Sequence, residues 1–352
     1  MPGWKDKLNG DPIPWLLEKD NAQPAIRYYA LRDILGRDEN DSEVKAAKAA
    51  IMTSGPVPVI LAAQHPEGYW GKRPRYTGTM HALFYMAQLG ADGADPRIRA
   101  GCEILLSRYI DSNGAPLGGL SLKGTPSGFN CTPGEMGAAL IDFGWLNDQR
   151  LQTAMEWLAQ TITGEGVADA SNRDTNKRYY KSGNSAPLFV CSMNVNLPCA
   201  WGAIKAMVAL SKVPPAKRTR NMQASIKEGL GFLLSRDPAV ADYPFDNHTY
   251  MGLRGGNKPS SSWFKFGYPV GFYITDVLRN LEVLAALGQA GNPKLANALD
   301  LVIRKQNQQG RWLLEQTYNG KMWVDIEKKG QPSKWVTLRA LRVLKAAYPE
   351  TG

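Results

Sequence analysis

Three ionisable residues stand in otherwise apolar stretches of the chain: Asp276 in FYITDVL, His81 in TGTMHAL and Glu135 in TPGEMGA. Burial among apolar side chains raises the pKa of a carboxyl group, and an imidazole titrates near neutral pH. These are the properties of general acids and bases. The sequence therefore predicts proton-transfer chemistry at Asp276, His81 or Glu135. A structural role is the simpler interpretation of each: a helix-start acid for Asp276 and Glu135, and a hydrogen-bonded core residue for His81.

Basic and aromatic residues cluster in the segments that join the predicted helices, at about 72–76, 171–181, 258–268 and 334–335. Arginine and tyrosine suit the directional binding of a carboxylate or phosphate, whereas a solvated charge run is the alternative interpretation. On the first interpretation, the predicted substrate-binding residues are Tyr76, Arg173, Arg178, Tyr179, Tyr180, Trp263, Tyr268, Tyr273 and Trp335.

Cys131 and Cys199 stand at the starts of two predicted helices. A thiol at a helix N-terminus can have a lowered pKa, although close packing of a small buried side chain is the simpler interpretation. We add Cys131 to the predicted substrate-binding set because it begins the helix that carries Glu135.

The elements that must position these residues are helices, because apolar residues recur at three- and four-residue spacing and no convincing strand appears. One set is apolar almost all round, which is typical of buried helices: 24–35, 77–89, 132–143, 197–210, 272–287 and 335–347. A second set is amphipathic, which is typical of half-exposed helices: 42–53, 95–108, 147–161, 217–234 and 293–306. The two sets alternate, which predicts an inner and an outer ring, with a short helix at about 14–20 completing the outer one.

The connections also alternate in length. Those after the apolar helices are short, whereas 109–131, 162–196, 236–271 and 307–334 are long. If successive helices alternate in direction, the long loops all emerge at one end of the ring. Long loops gathered on one face of a rigid scaffold commonly carry the functional site.

Two junctions share a heptapeptide, Q-x-x-x-G-x-W, which runs from Gln64 to Trp70 and again from Gln306 to Trp312. This pattern resembles the QW repeat of squalene–hopene cyclases and of protein prenyltransferase β subunits. The resemblance implies an all-α fold, an α/α toroid of five to six inner and outer helix pairs, with residues 1–352 as a single domain. It also implies that Gln64, Trp70, Gln306 and Trp312 fasten the helices together and take no part in chemistry.

The catalytic motifs of those families are missing. The chain has no adjacent aspartates, so neither the Asp-x-Asp-Asp acid nor the Asp-Asp-x-x-Asp magnesium motif is present. No cysteine follows an aspartate by two positions, which excludes the Asp-x-Cys part of the prenyltransferase zinc site. His65, His81 and His248 show no metal-ligand spacing. We therefore expect no metal and no other cofactor.

Composition narrows the class of protein. The 352 residues include 42 Lys and Arg and 32 Asp and Glu, which gives a net charge of +10. A positive charge of this size is consistent with binding to nucleic acid, to an acidic membrane face or to an anionic substrate. No nucleic-acid motif is visible, and no apolar run approaches the roughly 20 residues that span a bilayer. The four cysteines lack tight spacing, and the first residues lack a signal-peptide core. These features predict a cytoplasmic protein with no nucleic-acid partner and no membrane span, and they leave the oligomeric state open.

Together these features predict a cofactor-independent lyase or isomerase. Its acid–base chemistry would be elimination, decarboxylation, isomerisation or cyclisation of a largely apolar terpenoid or aromatic molecule with a carboxylate end. The alternative is a non-catalytic binding protein for an apolar ligand or a protein partner. Nucleic-acid binding, which would rest on the positive charge alone, is the weakest of the three hypotheses.

Overall fold

The computed structural model describes residues 3–71, 76–108, 131–169, 171–175, 178–179, 185–191, 194, 196–244, 261–271 and 274–350. The chain divides into two compact units. The terminal unit comprises Met1–Asp92 and Ser262–Gly352, and the central unit comprises Gly93–Ser261.

Helices dominate both units. In the terminal unit they are α1 (Ile13–Leu16), α2 (Pro24–Tyr29, continued by a π-helical turn at Ala30–Ile34), α3 (Ser42–Thr53), α4 (Pro56–Ala62), α5 (Thr79–Gln88), α11 (Val277–Ala286), α12 (Ala296–Arg304) and α13 (Lys334–Ala347). In the central unit they are α6 (Pro96–Arg108), α7 (Cys131–Asp142), α8 (Gln149–Thr163), α9 (Ala200–Lys212) and α10 (Arg220–Leu233).

Strands within the described residues are two residues long. In the central unit, β1 (Ser185–Ala186), β2 (Val190–Cys191) and β3 (Leu197–Pro198) pair antiparallel in that order. In the terminal unit, β4 (Trp312–Leu313) pairs with β5 (Pro332–Ser333), with Trp312 opposite Ser333.

The predicted all-α class is confirmed, and the helix bounds agree closely with the apolar periodicity. Helix α3 spans the predicted 42–53, and α5, α7, α9 and α13 begin within three residues of their predicted starts. Helices α5, α9 and α13 are buried along nearly their whole length, whereas α3, α8 and α10 expose one face. The predicted alternation of buried and half-exposed helices is therefore present.

Three elements differ from the prediction. The segment expected at 14–20 is a single turn, and α11 begins at Val277, not at 272, because Gly271 and Ile274 pair with each other first. Helix α4 was not predicted. It follows Gly55, whose φ of +73° favours glycine, and it begins with Pro56, a residue that suits the first helical position.

By length and composition alone, Ser42–Ala62 is the one stretch of the described residues that could cross a bilayer. It consists of two helices, because Ser54 and Gly55 are not helical and separate α3 from α4. Helix α3 also carries Glu43, Lys45 and Lys48 on its exposed face. This is weak evidence for a membrane span.

A close approach of two helices orders the central unit. Helices α7 and α9 pack against each other so tightly that a Cβ atom added to Gly134 would lie 2.5 Å from the carbonyl oxygen of Lys205. Only a residue without a side chain fits there unless the backbone moves. This contact places the first turns of α7 beside those of α9.

Replacing Gly134 with alanine is expected to lower the free energy of unfolding by about 1–3 kcal/mol, because the added methyl group forces the two helices apart. Urea denaturation followed by circular dichroism measures the change. Gly231→Ala on α10 is the matched control, since a Cβ atom there meets no other atom within 4 Å. The control should be neutral or should stabilise the helix slightly. Equal effects of both substitutions would contradict the packing argument.

Candidate functional site

The two heptapeptides make the same hydrogen bonds at their tryptophans. The indole N–H of Trp70 donates to the carbonyl of Ile60 (2.6 Å), and that of Trp312 donates to the carbonyl of Val302 (2.7 Å), in each case ten residues earlier. Both tryptophans are completely buried. Their backbone N–H groups donate to the hydroxyls of Thr79 and Thr337, at the next buried helix of each junction.

The two glutamines also bond to backbone groups. The Gln64 amide donates to the carbonyl of Gly68 (2.8 Å). The Gln306 amide donates to the carbonyls of Ile303 and Lys7, and its oxygen accepts the N–H of Asn9. These contacts join the end of one helix to neighbouring chain segments, which is the fastening role that the sequence indicated.

Asp276 caps helix α11 and is completely buried. Its Oδ1 accepts the N–H of Arg279 (2.7 Å) and a guanidinium N–H of Arg339 (3.0 Å). Its Oδ2 accepts the N–H of Gly267 (3.0 Å) and a second guanidinium N–H of Arg339 (3.2 Å). Four donors therefore occupy the carboxylate. This geometry favours the structural interpretation of Asp276.

Arg339, on α13, completes this buried network. Besides Asp276, its guanidinium donates to the carbonyl of Gly267 (2.7 Å) and to both carboxylate oxygens of Glu282 (2.8 and 3.0 Å). Burial alone would raise the pKa of Glu282, but the positive charges of Arg339 and then Arg279 outweigh it and hold that pKa below its ordinary value. Burial opposes the charged form of Arg339, whereas Asp276 and Glu282 favour it and raise its pKa. The network joins α11 to α13.

His81 lies on α5 among tyrosine rings and is 3% exposed. The centroid of its imidazole is 5.7 Å from that of Tyr76 and 6.0 Å from that of Tyr85. Tyr318 closes the group, 5.5 Å from Tyr76 and 5.9 Å from Tyr85. We call His81, Tyr76, Tyr85 and Tyr318 the histidine–tyrosine cluster. The structure thus brings together two sequence-predicted site residues, His81 and Tyr76.

Two details distinguish the cluster from ordinary core packing. Tyr76 has a φ of +38°, a left-handed conformation that is strained for a tyrosine and is often found at functional sites. The ammonium of Lys321 lies 5.2 Å from the Tyr76 ring centroid, so a positive charge borders the rings. The Tyr318 hydroxyl is held by the backbone: it accepts the N–H of Ile274 (2.7 Å) and donates to the carbonyl of Gly271.

Glu135, in the central unit, forms a buried ion pair with Lys205 of α9. The Lys205 Nζ is 3.7 Å from the Glu135 Oε1, and their side chains are 7% and 4% exposed. The same ammonium lies 5.9 Å from the Trp201 ring centroid. Lys205 was not among the predicted site residues, although a single lysine in the apolar stretch AWGAIKAMVAL is a detectable signal of a buried partner.

Tyr268 and Trp335 form a stacked, buried pair with ring centroids 4.0 Å apart. The Tyr268 hydroxyl donates to the carbonyl of Gln88 (3.1 Å), and the Trp335 indole N–H donates to the Gln23 side chain (2.7 Å). Their polar tips are therefore used inside the protein. A crevice beside Trp335 is too narrow to hold a water molecule. These contacts favour a packing role.

The other predicted binding residues are dispersed. Tyr179 is buried and donates to the carbonyl of Thr161 (3.0 Å), and burial raises its pKa to about 12. Arg178 donates to the carbonyl of Thr175, whereas Arg173 is exposed. Trp263 is buried in the short 3-10 helix Ser261–Phe264, and Cys131, half-buried at the start of α7, has a pKa raised by burial.

Several predicted residues lie outside the described part of the chain: Tyr180, Tyr273, His248, Lys72, Arg73, Arg75, Lys177, Lys181 and Lys258. Within the described part, no group of three or more His, Cys, Asp or Glu side chains is arranged to hold a metal ion.

Comparison with known proteins yields weak structural likenesses. No family model matches the chain, and no curated protein does. A variant of the type II terpene cyclase MstE from Scytonema, in complex with geranylgeranyl dihydroxybenzoate, is 16% identical with a TM-score of 0.46, covering 94% of this chain and 88% of that one. An unsaturated glucuronyl hydrolase specific for heparin is 10% identical with a TM-score of 0.48, covering 94% and 86%. A protein from Actinoplanes is 16% identical with a TM-score of 0.43, covering 92% and 90%. At these values the likenesses say nothing about activity.

Proposed function

We propose that this chain is a cofactor-independent enzyme of the lyase or isomerase type. It would transfer protons on a largely apolar terpenoid or aromatic molecule that carries an anionic end. The observation that supports this proposal is the histidine–tyrosine cluster of the terminal unit, in which a buried imidazole lies beside the rings of Tyr76 and Tyr85 and Tyr318 packs against both of those rings.

His81 is the proposed acid or base. An imidazole exchanges protons near neutral pH, which suits elimination, decarboxylation, isomerisation and cyclisation alike. The faces of Tyr76, Tyr85 and Tyr318 carry negative quadrupole charge, so they would stabilise a positive charge that develops on a bound hydrocarbon.

Lys321 is the proposed contact for the anionic end. Its ammonium is exposed and borders the Tyr76 ring, so it lies at the solvent side of the cluster. The net charge of +10 favours the approach of an anion as well. Arg173 and Arg178 belong to the central unit and stay sequence-based predictions of anion binding, separate from this cluster.

Glu135 is the second candidate for the acid or base, since Lys205 beside it could exchange the proton within the buried pair. Asp276 is the third. Its four hydrogen bonds leave little room for a substrate proton, and protonation would break its pairing with Arg339.

The experiment is a turnover assay in deuterium oxide with a chelator present. Geranylgeranyl dihydroxybenzoate and a polyprenyl carboxylic acid serve as probes, because each joins an apolar body to an anionic end. Chromatography with mass spectrometry distinguishes the reactions. In a parallel assay in ordinary water, isomerisation or cyclisation leaves the mass of the probe unchanged, whereas decarboxylation or elimination lowers it. In deuterium oxide, proton transfer from the solvent adds deuterium to the product. We expect a product that heat-denatured protein does not form. Tight binding of a probe without any deuterium incorporation would favour the non-catalytic alternative.

A further inference from the structure

All four cysteines of the chain lie in the central unit. Three of them, Cys131, Cys191 and Cys199, lie around the start of α9. Cys191 is on β2 and pairs with Leu197 of β3, and Cys199 follows Leu197 by two positions. Residues two apart on a strand point to the same face, and directly opposed residues share a face as well. Cys191 and Cys199 therefore project from the same side of this hairpin.

The side chains of Cys191 and Cys199 are hydrogen-bonded to each other. The Cys191 thiol donates a hydrogen bond to the sulfur of Cys199. Cys199 is also the N-cap of α9, and its sulfur accepts the backbone N–H of Gly202 (3.4 Å). Both side chains are partly exposed. Hydrogen-bond donors from Cys191 and Gly202 surround the Cys199 sulfur, and the residue is half-buried.

The charges around Cys199 favour its thiolate. The hydrogen bond from Cys191 is the largest influence; burial opposes it, and the N–H of Gly202 and the charge of Lys205 assist it. Together they lower the pKa of Cys199 to about 7. Among the described residues, Glu135 and Cys131, on α7, are further titratable groups beside this site.

The remaining cysteines differ from Cys199. Cys102 is completely buried on α6, and burial raises its pKa to about 12. Burial also raises the pKa of Cys131. Since thiolates, not thiols, are the nucleophiles, the four cysteines should differ strongly in reactivity.

We propose that Cys199 and Cys191 form a redox-active thiol pair that reduces hydroperoxides, with Cys199 as the attacking sulfur and Cys191 as the resolving one. An accessible thiolate next to a second thiol is the arrangement that oxidation-sensitive sites share. This inference is independent of the proton-transfer activity, which we placed in the terminal unit.

The chemistry balances in two steps. The Cys199 thiolate attacks one peroxide oxygen, the O–O bond breaks, and the leaving oxygen takes a proton to become water or an alcohol. Cys199 is then a sulfenic acid. The Cys191 sulfur attacks the Cys199 sulfur, the S–O bond breaks, water leaves, and a disulfide forms. The two thiols lose two electrons to the peroxide, and an external thiol such as dithiothreitol restores them.

The test uses the reduced full-length protein and hydrogen peroxide at a stoichiometric dose. After oxidation the remaining thiols are blocked with maleimide, and the peptides are analysed by mass spectrometry. We expect a Cys191–Cys199 linked peptide, and maleimide on Cys102 and Cys131. Cys191→Ser should stop at a sulfenic acid on Cys199 that dimedone traps, whereas Cys199→Ser should leave Cys191 reduced. Cys102→Ser is the matched control and should behave as the unmodified protein.

A measurement on the unsubstituted protein guards against variants that fail to fold. Alkylation of Cys199 by iodoacetamide at neutral pH should be about tenfold or more faster than that of Cys131. A Cys131–Cys199 link, uniform oxidation of all four cysteines, or equal alkylation rates would each overturn the assignment.

Discussion

Replacing Arg339 with methionine is expected to lower the free energy of unfolding by about 3–5 kcal/mol, because it leaves the buried carboxylate of Asp276 without its counter-ion and leaves Glu282 paired with Arg279 alone. Asp276 is completely buried and Glu282 largely so, and both bond to this guanidinium. Methionine keeps much of the volume of the arginine stem. The decrease in the free energy of unfolding therefore reports the missing charge and hydrogen bonds, not a cavity. Urea denaturation followed by circular dichroism measures it.

Arg342→Met is the matched control. Arg342 stands one turn further along α13 and pairs with Asp33, but both side chains are partly exposed to solvent. Solvent screens such a pair, so the control should cost no more than about 1 kcal/mol. A loss for Arg339→Met as small as that of the control would show that the buried network is not what joins α11 to α13.

The pH dependence of stability carries the same information. The pKa of Glu282 is lower in the folded protein than in the unfolded chain, so the unfolded chain takes up the proton first as the pH falls. The stabilisation from this group is therefore complete at neutral pH and is lost progressively at acidic pH, below the ordinary range of a glutamate. Arg339→Met should flatten this part of the stability curve.

Replacing His81 with glutamine is expected to lower the turnover rate by roughly 10²–10⁴, since it removes the group that gives and takes the proton. The amide retains hydrogen-bonding capacity, so the fold should persist, and circular dichroism checks this. The rate is measured on whichever probe the turnover assay finds to react.

His65→Gln is the matched control for this variant. His65 is exposed and stacks on Tyr69 with ring centroids 4.3 Å apart, so it shares an aromatic neighbour but lies outside the cluster. Its substitution should leave the rate unchanged. If Glu135→Gln abolishes turnover while His81→Gln retains it, the acid or base lies in the central unit. If Asp276→Asn does so without unfolding, the structural interpretation of Asp276 is contradicted.

The heptapeptides and the helices could be predicted because their signals are local. The three- and four-residue recurrence of apolar side chains needs no knowledge of the fold, and it predicted α3 at its observed bounds. The Q-x-x-x-G-x-W pattern is likewise local, and it marked two equivalent junctions, but the bonds of Trp70 and Trp312 to carbonyls ten residues earlier were not predicted.

The role of each candidate residue depended on partners that lie far away in the sequence. The sequence around Asp276 is equally consistent with a catalytic acid and with a helix cap. The packing of α11 against α13 favours the helix cap, because it brings Arg339 to the Asp276 carboxylate. Glu135 pairs with Lys205 because α7 and α9 are in close contact at Gly134. Tyr318, which lies in a long loop without periodicity, joins the histidine–tyrosine cluster through its contact with Tyr85.

Apart from α4 and the start of α11, apolar periodicity by itself therefore determined which segments are helices and which faces are buried, because burial of a helix face depends on the spacing of its own residues. The tertiary structure alone decided which buried charges neutralise each other, which rings enclose the imidazole and which sulfur atoms meet. Those pairings depend on how separate helices and hairpins dock, and a local sequence pattern contains no record of that geometry.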